Sequence, residues 1–209
     1  MERTATMMGY IQDQPRALRT AYQKREEFVA PLVALLESAP VKKVYFLGSG
    51  TSYHAGLVMS RYFETYLKVE AEAMVPTAFS HYEPINVNGV YRPEEILCLA
   101  ISQSGTSVST IGAIRRARGL GLPTAVLTEA LDSPITKETD TVFHLLCGKE
   151  LVPPETRGYT ITLLTGLLWA IEGAKALGRI SSQEYEGAMQ CLEEDLAQLD
   201  SVVQESQTW

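Results

Sequence analysis

Six consecutive residues, Ser102-Gln103-Ser104-Gly105-Thr106-Ser107, stand where an apolar run, ILCLAI, hands over to a helical pattern. They bring four hydroxyls, an amide and a glycine to a place where a turn needs one or two small residues. A second stretch of the same kind, Gly48-Ser49-Gly50-Thr51-Ser52, follows the run VYFL and opens another helical pattern. A helix N-terminus carries free backbone N–H groups and the positive end of the helix dipole, so it favours an anion. Hydroxyls and the Gln103 amide add uncharged donors, and glycines at 48, 50 and 105 let the backbone turn and come close to a ligand. The chemistry these residues suit is the cradling of a phosphate monoester without lysine or metal. Nucleotide-type spacings are absent: there is no GxxxxGK[ST], GSGTSYHAG is not GxGxxG, and no acid ends the second strand as a ribose contact would require. For SQSGTS alone, an N-cap serine with a turn glycine is an equal explanation. Two such loops at one site favour function.

Such loops need strands that end, and helices that begin, side by side. VKKVYFL, KVEAEAMV, EILCLAI, LPTAVLTE and TVFHLLCG read as five strands. Between and after them, TSYHAGLVMSRYFETYL, SVSTIGAIRRARGLG, TITLLTGLLWAIEGAKALG and the segment from Ser181 to Ser206 have helical spacing. Residues 15–38 read as one helix that Pro31 kinks or divides. SHYEPINVNGVYRPEE reads as an irregular polar connection, and SPITKET as a short helix capped by Ser133 with proline in its first turn. Strands alternating with helices, several of them continuously apolar, give an α/β fold. The expected architecture is a three-layer αβα sandwich around a five-stranded parallel, flavodoxin-like sheet of order 2-1-3-4-5. Its switch point lies between the first and third strands, whose carboxyl ends carry the two donor-rich loops.

With 209 residues, 45% of them hydrophobic, the chain can bury one good core. A formal net charge of -7 with dispersed Lys and Arg argues against nucleic acid or an anionic membrane as the main partner. The densest basic group, Arg115-Arg116-Ala117-Arg118, reads as a solvated face near a helix C-terminus. Three cysteines, Cys98, Cys147 and Cys191, form no CxxC pair, which suggests a reducing compartment, and Cys98 should pack as a small hydrophobe. The N-terminal MERTATMMGYIQDQPR has no apolar signal core and no run approaches membrane-spanning length, so a cytoplasmic protein with no membrane partner is expected.

GSGTSYHAG and SQSGTS resemble the two signature loops of SIS domains, the sugar-isomerase phosphosugar-binding fold. The resemblance is nearest to the isomerase half of glucosamine-6-phosphate synthase and to related deaminase, isomerase and deglycase proteins. GKELVPPETRGYT is similar to the family's E-x-G-V-A-S-T-K-A-[FY]-T passage, and QDQP to its E-I-x-E-Q-P opening, so the likeness spans roughly residues 10–180. The resemblance implies that Ser52, Ser102, Gln103, Ser104 and Ser107 contact phosphate while Gly50 and Thr51 shape the sugar pocket. Thr106 stands where the synthases usually have glutamate, Pro153, Pro154 and Glu155 replace Val-Ala-Ser, and Arg157 keeps a cation where lysine is usual.

It also implies a division into an N-terminal helical arm (1–38), a phosphosugar domain (39–180) and a C-terminal helix (181–209) like the linker to a second SIS domain. The family's glutamate and lysine of catalysis belong in or after that second domain, and no cysteine follows Met1 to support amide transfer. Among local candidates, His54 and His81 are assigned to helix and loop structure, Glu83 to loop hydrogen bonding and His144 to the core. Glu150 and Glu155 are acids near strand ends, and no catalytic residue is assigned.

The expected function is phosphosugar binding within an isomerase, deaminase or deglycase of an amino- or amine-linked hexose 6-phosphate, with no cofactor and no metal. The alternative is a non-catalytic sugar-phosphate sensor, although the N-terminal segment with Glu26, Glu27 and Glu37 is too short and acidic for a helix-turn-helix arm. The apolar 160–178 helix and the final helix would leave an exposed patch on a lone domain, so a homodimer is expected.

Overall fold

The structure is a computed structural model that describes residues 5–152 and 155–206. Strands β1 (Lys43–Leu47), β2 (Glu70–Met74), β3 (Ile96–Ile101), β4 (Thr124–Thr128) and β5 (Thr141–His144) pair in parallel in the order β2-β1-β3-β4-β5. The expected α/β sheet is therefore the one formed. β3 is buried at every position because helices cover both its faces. Edge strand β2 instead alternates, with Glu70 and Glu72 exposed and Ala71 buried, and its charges discourage a further strand from pairing there.

The helices are α1 (Met7–Gln23), α2 (Glu26–Ser38), α3 (Thr51–Tyr62), α4 (Pro76–His81), α5 (Val108–Gly119), α6 (Arg157–Ala176) and α7 (Ser182–Ser206). Alternate strand residues divide between two cores. Val44, Phe46, Leu97, Leu99, Leu127 and Phe143 pack with α1, α2, α3, α6 and α7. Tyr45, Leu47, Cys98, Ala100 and Val126 pack beneath α4 and α5. Cys98 is fully buried there, and burial pushes its thiol pKa well up, which makes it an inert hydrophobe.

Several expectations are corrected. The single helix over 15–38 is two helices, which break at Lys24–Arg25 rather than at Pro31. The Lys24 N–H closes α1 on Thr20 and Ala21, and Glu26 and Glu27 then favour the start of α2. Pro31 lies inside α2. α4 runs from Pro76 into the first two residues of the polar passage, which ends in a 3₁₀ turn at Pro93–Glu95. Arg116 is no solvated cation: its guanidinium donates to the carbonyls of Phe79 and Glu83 and ties α5 to α4.

His144 is partly exposed, its side chain at 36%, with Nε2 3.5 Å from a Glu129 carboxylate oxygen, so it is not a packed core residue. Most of the apolar girth of α6 is covered within the chain by α1, α2, α3 and α7, and a groove lined by Leu167, Ile180, Ala188 and Leu192 stays open between α6 and α7. Trp169 is fully buried, edge-on to Phe143 at 4.8 Å, and its indole N–H donates to the Phe28 carbonyl at 2.8 Å. Among the described residues no helix is long and apolar enough to cross a membrane.

Candidate functional site

Register places the site. Leu47 pairs with Ala100, so β1 and β3 end side by side at the switch point of the sheet. Each then turns at a glycine in the left-handed region, Gly50 at φ 57° and Gly105 at φ 63°, and each chain enters a helix within a few residues. Gly105 has a second reason to be glycine, because a Cβ there would overlap Oγ and Cβ of Ser133. Ser133 does not cap its 3₁₀ helix as expected. Its buried hydroxyl meets no partner among the described residues and serves as the wall behind the loop.

Gly50 and Thr51 begin α3, and Ser52 donates its N–H to the Ser49 carbonyl. In the second loop Ser102 is buried and its carbonyl accepts from the Gly105 N–H. Gln103 points inward, donating from Nε2 to the Cys147 sulfur at 3.1 Å. Ser104 is exposed with its Oγ 3.0 Å from that of Thr106, so two hydroxyls stand together at the surface. Ser107 caps α5, accepting from the Thr110 hydroxyl at 2.9 Å and more weakly from its N–H.

The segment before α6 joins the two loops. Glu150 accepts from the N–H groups of Gly158 at 2.6 Å and Thr156 at 3.2 Å, and it neutralises this third helix N-terminus. The Gln103 amide packs on Gly158, where a Cβ would stand 2.5 Å from Nε2. On the other side Thr51 donates its hydroxyl to Glu155 at 3.1 Å. Burial pushes the Glu155 carboxyl above the ordinary glutamate range, the Thr51 hydrogen bond offsets part of this, and neighbouring Glu150 adds to it. Pro153 and Pro154, the other departures in this motif, lie outside the described residues.

A cavity of about 430 Å³ opens beside the second loop, lined by Gln103, Ser104, Glu129, Ala130, Lys149 and Glu150. Glu129 and Lys149 were not foreseen, although LPTAVLTE ends in an acid at a strand's carboxyl end, which is where ligands of such sheets bind. Of the expected contacts only Gln103 and Ser104 line this cavity; Ser102 is buried, Ser107 is spent on its helix, and Thr51 is bonded to Glu155 outside the lining. A smaller cavity of about 190 Å³ lies at the opposite, amino end of the sheet among Lys43, Glu70, Asn86 and Tyr91. There Lys43 and Tyr91 already satisfy Glu70, which leaves little for a ligand to gain. Among the described residues no group of three or more His, Cys, Asp or Glu could hold a metal ion.

Comparison with known families decides the assignment, since the SIS domain family model matches residues 39–171, more than half of the chain. The chain belongs to the SIS domain family. This SIS domain is similar to the glutamine–fructose-6-phosphate aminotransferase (isomerizing) of Halobacterium salinarum, 32% identical over 182 residues that cover 84% of the chain and 29% of the relative. It thus spans under a third of the length of such relatives. Its fold matches a Clostridium difficile 630 protein described as a candidate phosphosugar isomerase, with TM-score 0.85 and 24% identity over 98% of this chain and 56% of the other. It also matches the C-terminal domain of the Francisella tularensis glucosamine-fructose-6-phosphate aminotransferase, with TM-score 0.78 and 20% identity over 91% and 53%. At these identities the two structures speak for the fold of the SIS domain alone.

Proposed function

We propose that this SIS domain binds a sugar phosphate, as part of an isomerase, deaminase or deglycase acting on an amino- or amine-linked hexose 6-phosphate. One observation carries this: two donor-rich loops leave adjacent parallel strands at their carboxyl ends, each turned by a positive-φ glycine into a helix N-terminus. In this reading Ser52, Ser102, Gln103, Ser104 and Ser107 hold the phosphate, and Gly50 and Thr51 shape the sugar pocket. The names of the aminotransferase relatives, which act on fructose 6-phosphate, support the ligand class.

The same reading divides the chain into a helical arm (1–38), a phosphosugar domain (39–180) and a C-terminal helix (181–209), in a cytoplasmic homodimer. The exposed apolar side chains of Val108 and Leu151, near the loops, are surface that a second subunit would cover. Neither loop contains a carboxylate, and both oxygens of Glu150 serve the start of α6. The chain by itself is therefore expected to bind sugar phosphate more readily than it turns it over.

Ser104 gives the test, since among the described residues its exposed hydroxyl bonds only within its own loop. Removing one donor to a charged phosphate costs about 1.5–3 kcal/mol, or roughly ten- to 150-fold in affinity. Glucosamine 6-phosphate should raise the melting temperature of the parent while glucosamine does not, and Ser104→Ala should weaken that binding by this factor. Equal binding of both sugars to both proteins would refute the phosphate cradle.

A further inference from the structure

We infer that Glu155 selects substrates with a positively charged nitrogen, preferring an amino- or amine-linked sugar phosphate to a neutral one. This rests on the phosphosugar reading above and adds to it a residue that discriminates among phosphosugars. Glu155 is a half-buried carboxylate beside the first loop, and its one hydrogen bond among the described residues comes from Thr51. A carboxylate drawn out of water is normally compensated by a cation or by several donors. Among the described residues no Lys or Arg forms an ion pair with it.

The nearest candidate in sequence is committed elsewhere. Arg157 turns to α1, where Nη1 bonds Asp13 at 2.9 Å and the guanidinium lies 5.0 Å from the centre of the Tyr10 ring. Glu150 adds a second negative charge beside Glu155, and its own oxygens are taken by the α6 N-terminus. A phosphate held on the adjoining loops would bring further negative charge to this pocket. A neutral hexose phosphate leaves Glu155 uncompensated. An ammonium or protonated secondary amine on the same sugar supplies the missing cation and gains a charge-assisted hydrogen bond, about twice as strong as a neutral one. The donor-rich loops and Glu155 together are thus complementary to a ligand that is anionic at one end and cationic at the other.

Calorimetric titration of the chain with glucosamine 6-phosphate and glucose 6-phosphate reads this as a ratio of affinities. The parent should prefer the amino sugar by about tenfold or more. Glu155→Gln should abolish the preference by weakening glucosamine 6-phosphate alone, and Glu155→Asp, which keeps the charge, should retain most of it. A parent without preference, or a preference that survives in Glu155→Gln, overturns the inference while leaving the phosphate cradle standing. A parent that binds neither compound overturns both. If Glu155→Gln does not fold, the parent ratio and Glu155→Asp still decide: no preference in the parent, or a preference lost in Glu155→Asp, counts against it.

Discussion

Replacing Asp13 by alanine is expected to destabilise the protein by about 3–5 kcal/mol, because it leaves the buried Arg157 guanidinium without its counter-charge. The Arg157 side chain is only 12% exposed, its Nη1 is 2.9 Å from Asp13, and its Nε is already without a hydrogen-bond partner among the described residues. Asp13 itself is 5% exposed and is also bonded by Arg16 through both oxygens at 2.7 Å. Urea or thermal unfolding of Asp13→Ala beside the parent measures the loss. Replacing Asp13 and Arg157 together by apolar residues should cost less than Asp13→Ala alone, since no buried charge is stranded.

The pH dependence follows from the same geometry. The hydrogen bonds from Arg16 hold the Asp13 carboxyl below its usual range, against the opposing effect of burial, and Arg157 adds to the lowering. A depressed folded pKa means that this contribution is complete above the unfolded pKa and is lost as pH falls through the lower folded value. The difference in stability between parent and Asp13→Asn should therefore be constant near neutrality and shrink only in strong acid. A difference that changes between pH 6 and 8 would show that another group dominates.

Gly105→Ala should abolish ligand binding and cost stability at once. At φ 63° a side chain is strained by about 1–3 kcal/mol, and the new Cβ would also overlap the fixed wall of Ser133, so the loop must move. Displacing even one donor from a charged phosphate lowers affinity about tenfold or more, and here several donors move together. Ser133→Gly in the same chain removes the overlap but not the backbone strain. Partial recovery of binding in that double variant is expected. Gly105→Ala with unchanged stability and unchanged affinity for glucosamine 6-phosphate would mean the loop is neither strained nor a phosphate site.

The parts of the fold that could be read from sequence are those with local causes. Apolar runs stopped by glycine and serine marked the strands, and the parallel order followed from their alternation with helices. The two loops were legible because donor-rich residues at a strand end have few structural uses. What could not be read was long-range. The bond from Arg157 to Asp13 joins residues 144 positions apart and turns the QDQP opening into an anchor for the start of α6. The role of Ser133 as a wall depends on where Gly105 arrives, and the exposure of His144 depends on the short length of edge strand β5. The break between α1 and α2 falls at Lys24–Arg25, where no residue type signals a stop, while Pro31 is accommodated inside α2.

Phosphate is expected to sit on the backbone of residues 50–52 and 103–107. Amide chemical-shift mapping during titration with glucosamine 6-phosphate tests this most directly, because it reports the N–H groups themselves. The largest shifts are predicted at Gly50–Ser52 and Gln103–Ser107, with smaller ones at Glu155 and Gly158. Saturable shifts centred instead on Lys43, Glu70 and Tyr91, with the two loops unmoved, would contradict it.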